Sequence, residues 1–346
     1  MDMGKKRNNF SQFEVAYAMV LILSMESDVS TISVIDWLDY LGSRWKRVNG
    51  EDIDETKDEL FLKIANDEFS FCTLLEGVDH HQVTAVWDRR FHGLNRIRHW
   101  IYSDTSDIGI NNARLEKLLI AEVGKVHAYT YAFFSDCFWL DTPGATNVNK
   151  LSVLDCASKV GLKIPRTVVT NKKDSLIAAF SGCEIITKHI SEAHGLFFDA
   201  TLFMNYTAVV TKEFVDTLPE TFFPSLFQEK IEKKYEIRAF YLMGIIYAMA
   251  IFSQSSEQTK VDFRQYDFSN SNRMVPFELP LSIQAKINDL MERLNLKHGS
   301  IDLIKSVNDE YVFLEVNPVG QFGMVSYPCN YYLEEKVAQT LSEYGK

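Results

Sequence analysis

A strand-like segment near the C-terminus carries an acid and an amide on one side. It reads YVFLEVNPVGQF, residues 311–322. Because successive side chains of a strand alternate between its faces, one face is predicted to hold Tyr311, Phe313, Glu315 and Asn317. Pro318 is predicted to end the strand. Two oxygen-bearing side chains would therefore project together from a strand end, an arrangement that needs a partner.

A second strand-like segment, SIDLIKS, precedes the first and is separated from it by turn-forming residues. If Asn308 and Asp309 form a two-residue turn, Asp302 lies directly opposite Glu315. The same turn predicts two further pairs, Lys305 with Val312 and Leu303 with Leu314. A three-residue loop would shift the pairing, so the register stays a hypothesis at this point.

Two carboxylates that face each other in a hairpin repel each other unless a cation lies between them. Asp302, Glu315 and Asn317 together form a ligand set made only of oxygen, which suits Mg²⁺ completed by water and nucleotide phosphates. The alternative is a solvated hairpin edge, because acids are common at strand ends.

The composition bounds the function class. The chain has 346 residues, 46% hydrophobic and 24% charged, with a net charge of −11, which excludes general nucleic-acid binding. Its five cysteines are scattered without a C-x-x-C pair, which favours reduced thiols over disulfides or a zinc site. The longest apolar run, AFYLMGIIYAMAIF, has 14 residues and is too short to span a bilayer. These features predict a folded cytoplasmic protein.

The elements that would position the chemistry begin with an α/β pattern. VAYAMVLILS predicts a buried parallel strand, SRWKRVN a second strand and QVTAVWDRR a third. Between the first two, TISVIDWLDYLG predicts an amphipathic helix that buries Ile32, Ile35 (or Val34), Leu38 and Leu41. Residues 111–135 predict a long helix. The segment DTPGATNVNK, with Pro, Gly and Asn, predicts a loop and a candidate domain boundary.

The second half alternates helices with antiparallel strand patterns. KLSVLDCASKVGLKIP predicts a helix that ends at Gly161, and LSIQAKINDLMERLNL predicts another. RTVVT and CEIITKHI predict strands, LFFDATLFMNYTAVV an aromatic hairpin, and EIRAFYLMGIIYAMAIFSQ a buried hairpin that turns at Gly244.

The hairpin GSIDLIKS…YVFLEVNPVGQF resembles the metal-binding hairpin of the ATP-grasp ligases, and more closely that of the maturases of ester- and amide-cyclised ribosomal peptides, the graspetides. LILSMESDVST, VWDRRF, GLKIPRTVVTN, EIITK, FQEKIEKKYEIRAF and VDFRQYD follow in the family's order along nearly the whole chain. The resemblance implies an α/β (α+β) ATP-grasp fold with an N-terminal pre-ATP-grasp domain at 1–125, a central subdomain at 126–225 and a C-terminal subdomain at 226–346.

The resemblance also implies roles for individual residues. Asp302, Glu315 and Asn317 would hold Mg²⁺. Lys188 and Lys150 would contact ATP phosphates, and Arg238 would bind the transferred phosphate, with Lys188 and Arg238 counted as catalytic. The adenosine would be bound by Gln228, Glu229, Lys230, Ile231 and Glu236. Without the family order, Lys188 reads as a surface lysine at a strand end.

Three arginines complete the predicted site. By the resemblance, Arg264, Arg89 and Arg90 line the cleft for the substrate acid and its acyl phosphate, and Arg264 is also counted as catalytic. For Arg89 and Arg90 a basic strand end is an equal alternative. The loop after Lys188 has a single glycine, unlike the glycine-rich phosphate lid of many ATP-grasp enzymes. The nearby aromatic residues fit a leader-peptide surface or core packing: Phe197, Phe198, Phe203 and Tyr206.

The implied activity is ATP-dependent ligation. A side-chain carboxylate of Asp or Glu in a precursor peptide would be activated as an acyl phosphate, and a hydroxyl or amine of the same peptide would close the ring. The implied cofactors are ATP and Mg²⁺, the implied partner is a precursor peptide with leader and core, and the family suggests a homodimer. The alternatives are a ligase that adds an amino acid to another carboxylate, and a non-catalytic nucleotide- or peptide-binding module.

Overall fold

The structure is a computed structural model of the whole chain. It describes residues 18–50, 62–65, 68–71, 80–91, 112–141, 147–191, 196–198, 201–203, 207–253 and 272–344. The chain divides into two compact units, Met1–Pro143 with Tyr332–Lys346, and Gly144–Tyr331. The division falls inside the predicted boundary loop DTPGATNVNK, and the C-terminal helix belongs to the first unit. The finer division at residues 125 and 225 stays a prediction.

The first unit is built on a parallel sheet, as the alternating strand and helix patterns predicted. Four strands lie in the order β2-β1-β5-β6, and every neighbouring pair is parallel. Their bounds are β1 Met19–Ser24, β2 Arg44–Asn49, β5 Val83–Asp88 and β6 Phe138–Trp139. The same unit contains the antiparallel hairpin β3 Leu62–Ala65 and β4 Glu68–Phe71, a 3-10 turn at His80–Gln82, and the helices α1 Val29–Tyr40, α2 Asn112–Phe133 and α8 Leu333–Tyr344.

The predicted buried face of α1 is partly wrong. Val34 and Leu38 are buried as expected, but Ile32 is 45% exposed and Leu41 is 39% exposed. The buried face instead continues through Ser30 and Thr31, since Thr31 donates to the N-cap Asp28 and needs no solvent. A polar residue that takes part in helix capping can therefore be buried, while a nearby hydrophobic residue that the helical pattern predicts to be buried remains exposed.

The second unit contains two larger antiparallel sheets and a small hairpin. The four-stranded sheet has the order β11-β8-β12-β7, the five-stranded sheet has the order β15-β14-β13-β16-β17, and β9 pairs with β10. The strands are β7 Thr167–Lys172, β8 Ile185–Lys188, β9 Leu196–Phe198, β10 Thr201–Phe203, β11 Ala208–Val210, β12 Thr221–Glu229, β13 Lys233–Leu242, β14 Ile245–Phe252, β15 Arg273–Phe277, β16 His298–Ser306 and β17 Tyr311–Asn317. The helices are α3 Lys150–Lys159, α4 Lys173–Ala179, α5 Lys212–Thr217, α6 Leu281–Arg293 and α7 Gly323–Cys329.

Helices cover one face of each large sheet. The core of the five-stranded sheet joins strand residues such as Ile237 and Ile301 with Leu154 of α3 and Ile287 of α6. The four-stranded sheet has a separate core formed with α4 and α5, around Leu176 and Val215. Because neighbouring side chains of a strand point to opposite faces, the residues that alternate with these core positions line the other face of the five-stranded sheet.

The β16–β17 hairpin confirms the central pair but not the predicted turn. Asp302 lies opposite Glu315. The turn has three residues between Ser306 and Glu310, with Asp309 at a φ of 64°, so Lys305 pairs with Tyr311 and Leu303 with Phe313. The predicted partners Val312 and Leu314 are therefore wrong. A register shift between Asp302 and Leu303 then restores the predicted pairing towards the strand end.

The same irregularity corrects the predicted face of β17. Phe313 is fully buried in the core with Val316, whereas Leu314 and Glu315 both line a cleft on the other side of the sheet. Tyr311 also packs against the core, so Tyr311 and Phe313 do not share the face of Glu315. A bulge adds one residue to a strand, which inverts the alternation on one side of it.

No helix in the described ranges is long and apolar enough to cross a membrane.

Candidate active site

The site is built on a row of charged residues across three strands of the five-stranded sheet. Arg238 on β13 pairs in register with Asp302 on β16, which pairs with Glu315 on β17. Nη1 of Arg238 donates to both carboxylate oxygens of Asp302, at 2.9 and 3.0 Å. Both side chains are largely buried, at 9% and 16% exposure, which strengthens this charge-assisted contact.

Two lysines from other elements converge on Glu315. Nζ of Lys150 and Nζ of Lys188 lie 3.7 and 3.8 Å from the same oxygen, Oε2. Lys188 ends β8, as predicted, and Lys150 opens α3, where Asn149 caps the helix by accepting from two backbone N–H groups. A cation in the first turn of a helix opposes the helix dipole, so helix stability does not account for Lys150 at this position.

Glu236 anchors a second buried cluster beside this row. It shares a strand face with Arg238, is 7% exposed, and accepts hydrogen bonds from Lys233 Nζ and from Ser253 Oγ at 2.6 Å. Burial raises the pKa of the Glu236 carboxyl, and the contacts with Lys233 and Ser253 oppose that rise. The carboxylate is thus held by a cation and a hydroxyl, as a buried charge requires.

A cleft of about 730 Å³, measured to include the solvent at its mouth, lies over this face of the sheet. Its wall carries Lys188, Glu236, Asp302 and Glu315, together with Gln228 and Glu229 from the end of β12 and Ile231 from the segment that joins β12 to β13. The remaining lining residues are Pro165, Ile186, Thr207, Lys233, Ile237, Leu303, Ile304 and Leu314. The wall combines apolar side chains with charged and polar ones, as is usual for small-molecule sites.

The end of β12 and the linker after it, residues 230–232, present hydrogen-bonding groups to the cleft. Gln228 is 1% exposed and donates from Nε2 to Thr167 Oγ1 at 2.8 Å, while its buried Oε1 has no partner in the described residues. Two backbone hydrogen bonds tie the linker down, from Lys230 N–H to Glu184 and from Val307 N–H to Glu232. Between them, the N–H of Ile231 donates to no backbone carbonyl of the described chain.

The side chains of two residues predicted at the adenine, Lys230 as a flanking residue and Glu229 through its backbone, have other partners. Lys230 donates from Nζ to Glu184 Oε2 at 2.8 Å and does not line the cleft. Glu229 borders the cleft, but its carboxylate accepts from the backbone N–H of Arg166 at 3.0 Å. Their predicted roles at the nucleotide stay predictions.

Asn317 ends β17 opposite Ser300 and is exposed. Gly320 closes the following turn by donating its N–H to Asn317 O at 3.1 Å. A Cβ at Gly320 would lie 2.8 Å from Ser300 Cβ and 3.1 Å from Asn317 O, so only glycine allows this approach. The close packing fixes the backbone that carries the Asn317 amide.

The donor set fits a hard divalent cation. Asp302 and Glu315 face each other, Asn317 follows at the same strand end, and all three supply oxygen, as Mg²⁺ prefers. The described residues contain no cluster of three or more His, Cys, Asp or Glu with metal-binding spacing. An oxygen-only set with two acids leaves the remaining positions to water and phosphate, which suits Mg²⁺ bound together with a nucleotide.

Arg89 and Arg90 belong to the first unit. Arg89 is fully buried, lies 3.3 Å from Asp28 Oδ2 through Nε, and stacks over Trp87. Burial lowers the pKa of Arg89 to about 10, and Asp28 opposes the shift. Arg89 thereby holds the residue that caps α1, while Arg90 is partly exposed with a φ of 70°. Their contact with substrate stays a prediction.

Other predicted residues lie outside the described ranges. Arg264 and Tyr206 are among them, and the side chains of Phe197, Phe198 and Phe203 are not described either, although their backbone forms the predicted β9–β10 hairpin.

Sequence reasoning missed four residues of this site: Lys233, Ser253, Ser300 and Gly320. In a regular strand Lys233 and Glu236, three residues apart, would point to opposite faces, and the register shift between Lys233 and Tyr235 gives no clear local signal in the sequence. The contacts of Ser253 with Glu236 and of Ser300 with Gly320 depend on strand register, which the sequence does not supply.

Comparison with known proteins adds an independent observation. No protein-family model matches the chain, and no curated protein matches it. Among solved structures, the chain resembles a RiPP-associated ATP-grasp ligase from Chryseobacterium gregarium, in complex with ADP and a leader and core peptide. The two sequences are 24% identical, the TM-score is 0.76, and the alignment covers 94% of this chain and 96% of that one. The macrocyclase MdnC from Microcystis aeruginosa MRC, bound with precursor peptide MdnA, is 25% identical with a TM-score of 0.73, over 94% and 99%. The ATP-grasp ligase PsnB, complexed with minimal precursor, Mg and ADP, is 16% identical with a TM-score of 0.72, over 95% and 97%.

The chain has the ATP-grasp fold. The solved structures it resembles are ATP-grasp ligases and macrocyclases of ribosomal peptides, so the resemblance predicted from the ordered motifs is confirmed. The agreement covers nearly the whole of this chain and of each compared chain, so both units are included in it. In this ATP-grasp chain, Asp302 and Glu315 of the charged row lie on the hairpin that the sequence predicted as the metal site, and both border the cleft.

Proposed function

We propose that the protein is an ATP-dependent ligase that closes ester or amide rings in a ribosomal precursor peptide. The observation that carries this proposal is a set of charged groups at one face of the five-stranded sheet. Two facing acids and Arg238 lie on this face, and Lys150 and Lys188 reach Glu315 from other elements, beside a cleft that also presents hydrogen-bonding groups. Full-length likeness to macrocyclases supports the same conclusion.

The first step would join the peptide carboxylate to phosphate. An oxygen of an Asp or Glu side chain attacks the γ-phosphorus of ATP, the bond from that phosphorus to the β-phosphate oxygen breaks, and ADP leaves. Lys188 and Lys150 are placed to bind phosphate oxygens, and the buried Nε of Arg238, which has no partner in the described residues, offers another donor. When bound by Asp302, Glu315 and Asn317, Mg²⁺ would neutralise charge between the phosphates.

The second step would close the ring. A hydroxyl or amine of the same peptide attacks the acyl carbon, the carbon–oxygen bond to phosphate breaks, and phosphate leaves. Activation is needed because a free carboxylate is a poor electrophile, and phosphate turns its oxygen into a leaving group. The chain's contribution is positioning and charge stabilisation, with no covalent intermediate on the protein.

Adenine recognition would come from the end of β12 and the linker after it. The buried Oε1 of Gln228 can accept from an exocyclic amino group, and the N–H of Ile231 can donate to a ring nitrogen. Adenine has an amino group, a donor, on carbon 6 and an acceptor at the neighbouring ring nitrogen. Guanine has the reverse pattern, so these two protein groups would favour adenine.

The wider setting belongs to the same proposal. The protein would act in the cytosol, as its scattered cysteines suggest, on a peptide with leader and core segments, without nucleic acid and as a homodimer. The acidic net charge agrees with the absence of a nucleic-acid partner.

The test is mass spectrometry of a peptide encoded beside this gene, rich in Thr, Lys, Asp and Glu, after incubation with the protein and Mg-ATP. We expect loss of one water mass per ring, dependent on ATP, with ester and amide separated by mild base hydrolysis. Glu315→Gln should abolish the loss, while Glu310→Gln, an exposed acid of the same hairpin paired with Lys163, should leave it unchanged. ADP release with a mass gain from an added amine would instead identify an intermolecular ligase. Tight ADP binding without turnover of this peptide or ATP would identify a binding module.

A further inference from the structure

The contacts of Glu315 with its two lysines differ from the contact of Asp302 with Arg238. Both ammonium groups lie beyond hydrogen-bonding distance of Glu315 Oε2, at 3.7 and 3.8 Å, and the three side chains are 15–24% exposed. The Arg238 contact is shorter, donates to both oxygens, and is more deeply buried. Loose ion pairs of compact ammonium groups on flexible stems are weaker than such a planar guanidinium contact.

A divalent cation at this hairpin must therefore share Glu315 with Lys150 and Lys188. Both lysines are directed at one oxygen of a predicted metal ligand. A second cation placed at that oxygen would meet repulsion from two ammonium groups within a few ångströms, in a partly buried site where screening is weak. The repulsion falls only if the ammonium groups find another anion.

The phosphates of a nucleotide would be that anion. Lys150 comes from the start of α3 and Lys188 from the end of β8, so the two cations reach Glu315 from separate elements. Each has a flexible side chain that can turn from the carboxylate to a phosphate oxygen without a change in backbone. Lys150 also donates to the carbonyl of His189 at 3.4 Å, directly after Lys188 in sequence.

We propose that Lys150 and Lys188 make metal binding depend on the nucleotide. The two lysines occupy Glu315, and nucleotide phosphates draw both ammonium groups away, so that Glu315 can bind a divalent cation. By thermodynamic reciprocity, the cation strengthens nucleotide binding by the same factor. The inference rests on the proposed nucleotide function and adds the origin of its metal dependence.

The test measures Mn²⁺ binding to the full chain by electron paramagnetic resonance, with and without ADP. For the wild-type protein we expect ADP to tighten Mn²⁺ binding by about 10-fold or more, in the range usual for coupled sites. In the double variant Lys150→Met with Lys188→Met, Mn²⁺ should bind more tightly without ADP, because the repulsion at Glu315 is removed. The factor by which ADP improves Mn²⁺ binding should fall clearly below the wild-type value, and the coupling that remains would come from phosphate oxygens that bind the metal directly.

Two variants control for other effects of lysine removal. Lys163→Met removes a cation whose partner is Glu310, an acid of the β16–β17 hairpin other than Glu315. The coupling between ADP and Mn²⁺ should therefore stay at the wild-type value. Lys150→Arg with Lys188→Arg keeps both charges and should keep the coupling. If the double methionine variant does not fold, shown by circular dichroism, the single variant Lys150→Met should show an intermediate coupling factor.

The proposal is overturned if wild-type protein binds Mn²⁺ equally well with and without ADP. It is also overturned if removal of the lysines weakens Mn²⁺ binding without ADP, since the lysines would then organise the metal site. Failure of the proposed function looks different. If ADP and Mn²⁺ binding are coupled but the precursor peptide loses no water, the proposed function fails and this inference stands. If rings close without such coupling, this inference alone fails.

Discussion

Arg238 donates from one nitrogen, Nη1, to both carboxylate oxygens of Asp302, at 2.9 and 3.0 Å. The contact joins β13 to β16 and leaves Nε of Arg238 buried without a partner in the described residues. The pair thus holds a predicted metal ligand in place, and Nε is the donor that the proposed function assigns to a phosphate.

Replacement of Asp302 should cost stability as well as activity. Asp302→Asn leaves the Arg238 charge poorly compensated in a largely buried position, and we expect a loss of about 2 kcal/mol in the free energy of unfolding. Urea unfolding would measure it, with Asp309→Asn as a control, because Asp309 is exposed in the turn of the same hairpin. In a double-mutant cycle with Arg238→Met, the two losses should not add. Additive losses would show that the pair contributes nothing of its own.

The pH dependence of stability should reveal Glu236. Burial raises the pKa of its carboxyl above the ordinary value of 4.5, so the folded protein binds this proton more tightly than the unfolded chain. The contribution of the group to stability is therefore greatest below pH 4.5 and declines as the pH rises through the raised pKa. The free energy of unfolding would be measured against pH for the wild-type protein and for Glu236→Gln. The difference, wild type minus variant, should decline from pH 4.5 up to the raised pKa and stay constant at higher pH. A difference that grows with pH would mean that Lys233 outweighs burial.

The approach of Gly320 to Ser300 should be sensitive to one methyl group. Gly320→Ala places a Cβ 2.8 Å from Ser300 Cβ and 3.1 Å from Asn317 O, so the turn that carries Asn317 must move. We expect reduced stability and at least about 10-fold weaker Mn²⁺ binding in the presence of ADP, since displaced metal ligands commonly cost that much. Ser300→Gly should partly restore both in the double variant. Gly124→Ala, in α2 with nothing within 4 Å, should stabilise the protein by about 1 kcal/mol. Equal effects at both glycines would contradict the packing argument.

Gln228 should contribute to base selectivity. Its Oε1 is buried on the cleft wall without a partner in the described chain, so an adenine amino group would satisfy it, whereas the carbonyl of guanine would repel it. Gln228→Met should weaken ADP binding by about 10-fold, the equivalent of one hydrogen bond, and change GDP binding little. Calorimetric titration of both nucleotides would measure this. Equal losses for ADP and GDP would place Gln228 outside base recognition.

The sequence predicted the central pair of this site but not the turn that brings the two residues together. The pairing of Asp302 with Glu315 was predicted correctly, and their residue types indicated a cation, because facing acids in a hairpin repel each other without one. The register that produces the pair was predicted from the wrong turn. The three-residue loop at Asp309 moves the strand pairing by one residue, and the register shift between Asp302 and Leu303 moves it back. Neither feature is marked in the sequence as clearly as an Asn-Gly pair marks a two-residue turn or a proline marks a strand end.

The convergence of Lys150 and Lys188 needed the tertiary structure. One opens a helix and the other ends a strand of a different sheet, so no periodicity in the sequence relates them, and only the family order suggested both. The misplaced burial of Ile32 has a similar cause, since Thr31 takes a buried position through its hydrogen bond to Asp28. Local patterns predicted the elements, while the contacts between elements decided which side chains meet.

The central claim is that a peptide carboxylate is activated by phosphate transfer, and isotope transfer tests it most directly. A precursor peptide with heavy oxygen in its Asp and Glu side-chain carboxylates would be incubated with the protein and Mg-ATP, and the released phosphate analysed by phosphorus NMR. We predict one heavy oxygen in phosphate for each ring closed, because the acyl-phosphate bridge oxygen leaves with phosphorus. Ring closure with unlabelled phosphate would contradict the account.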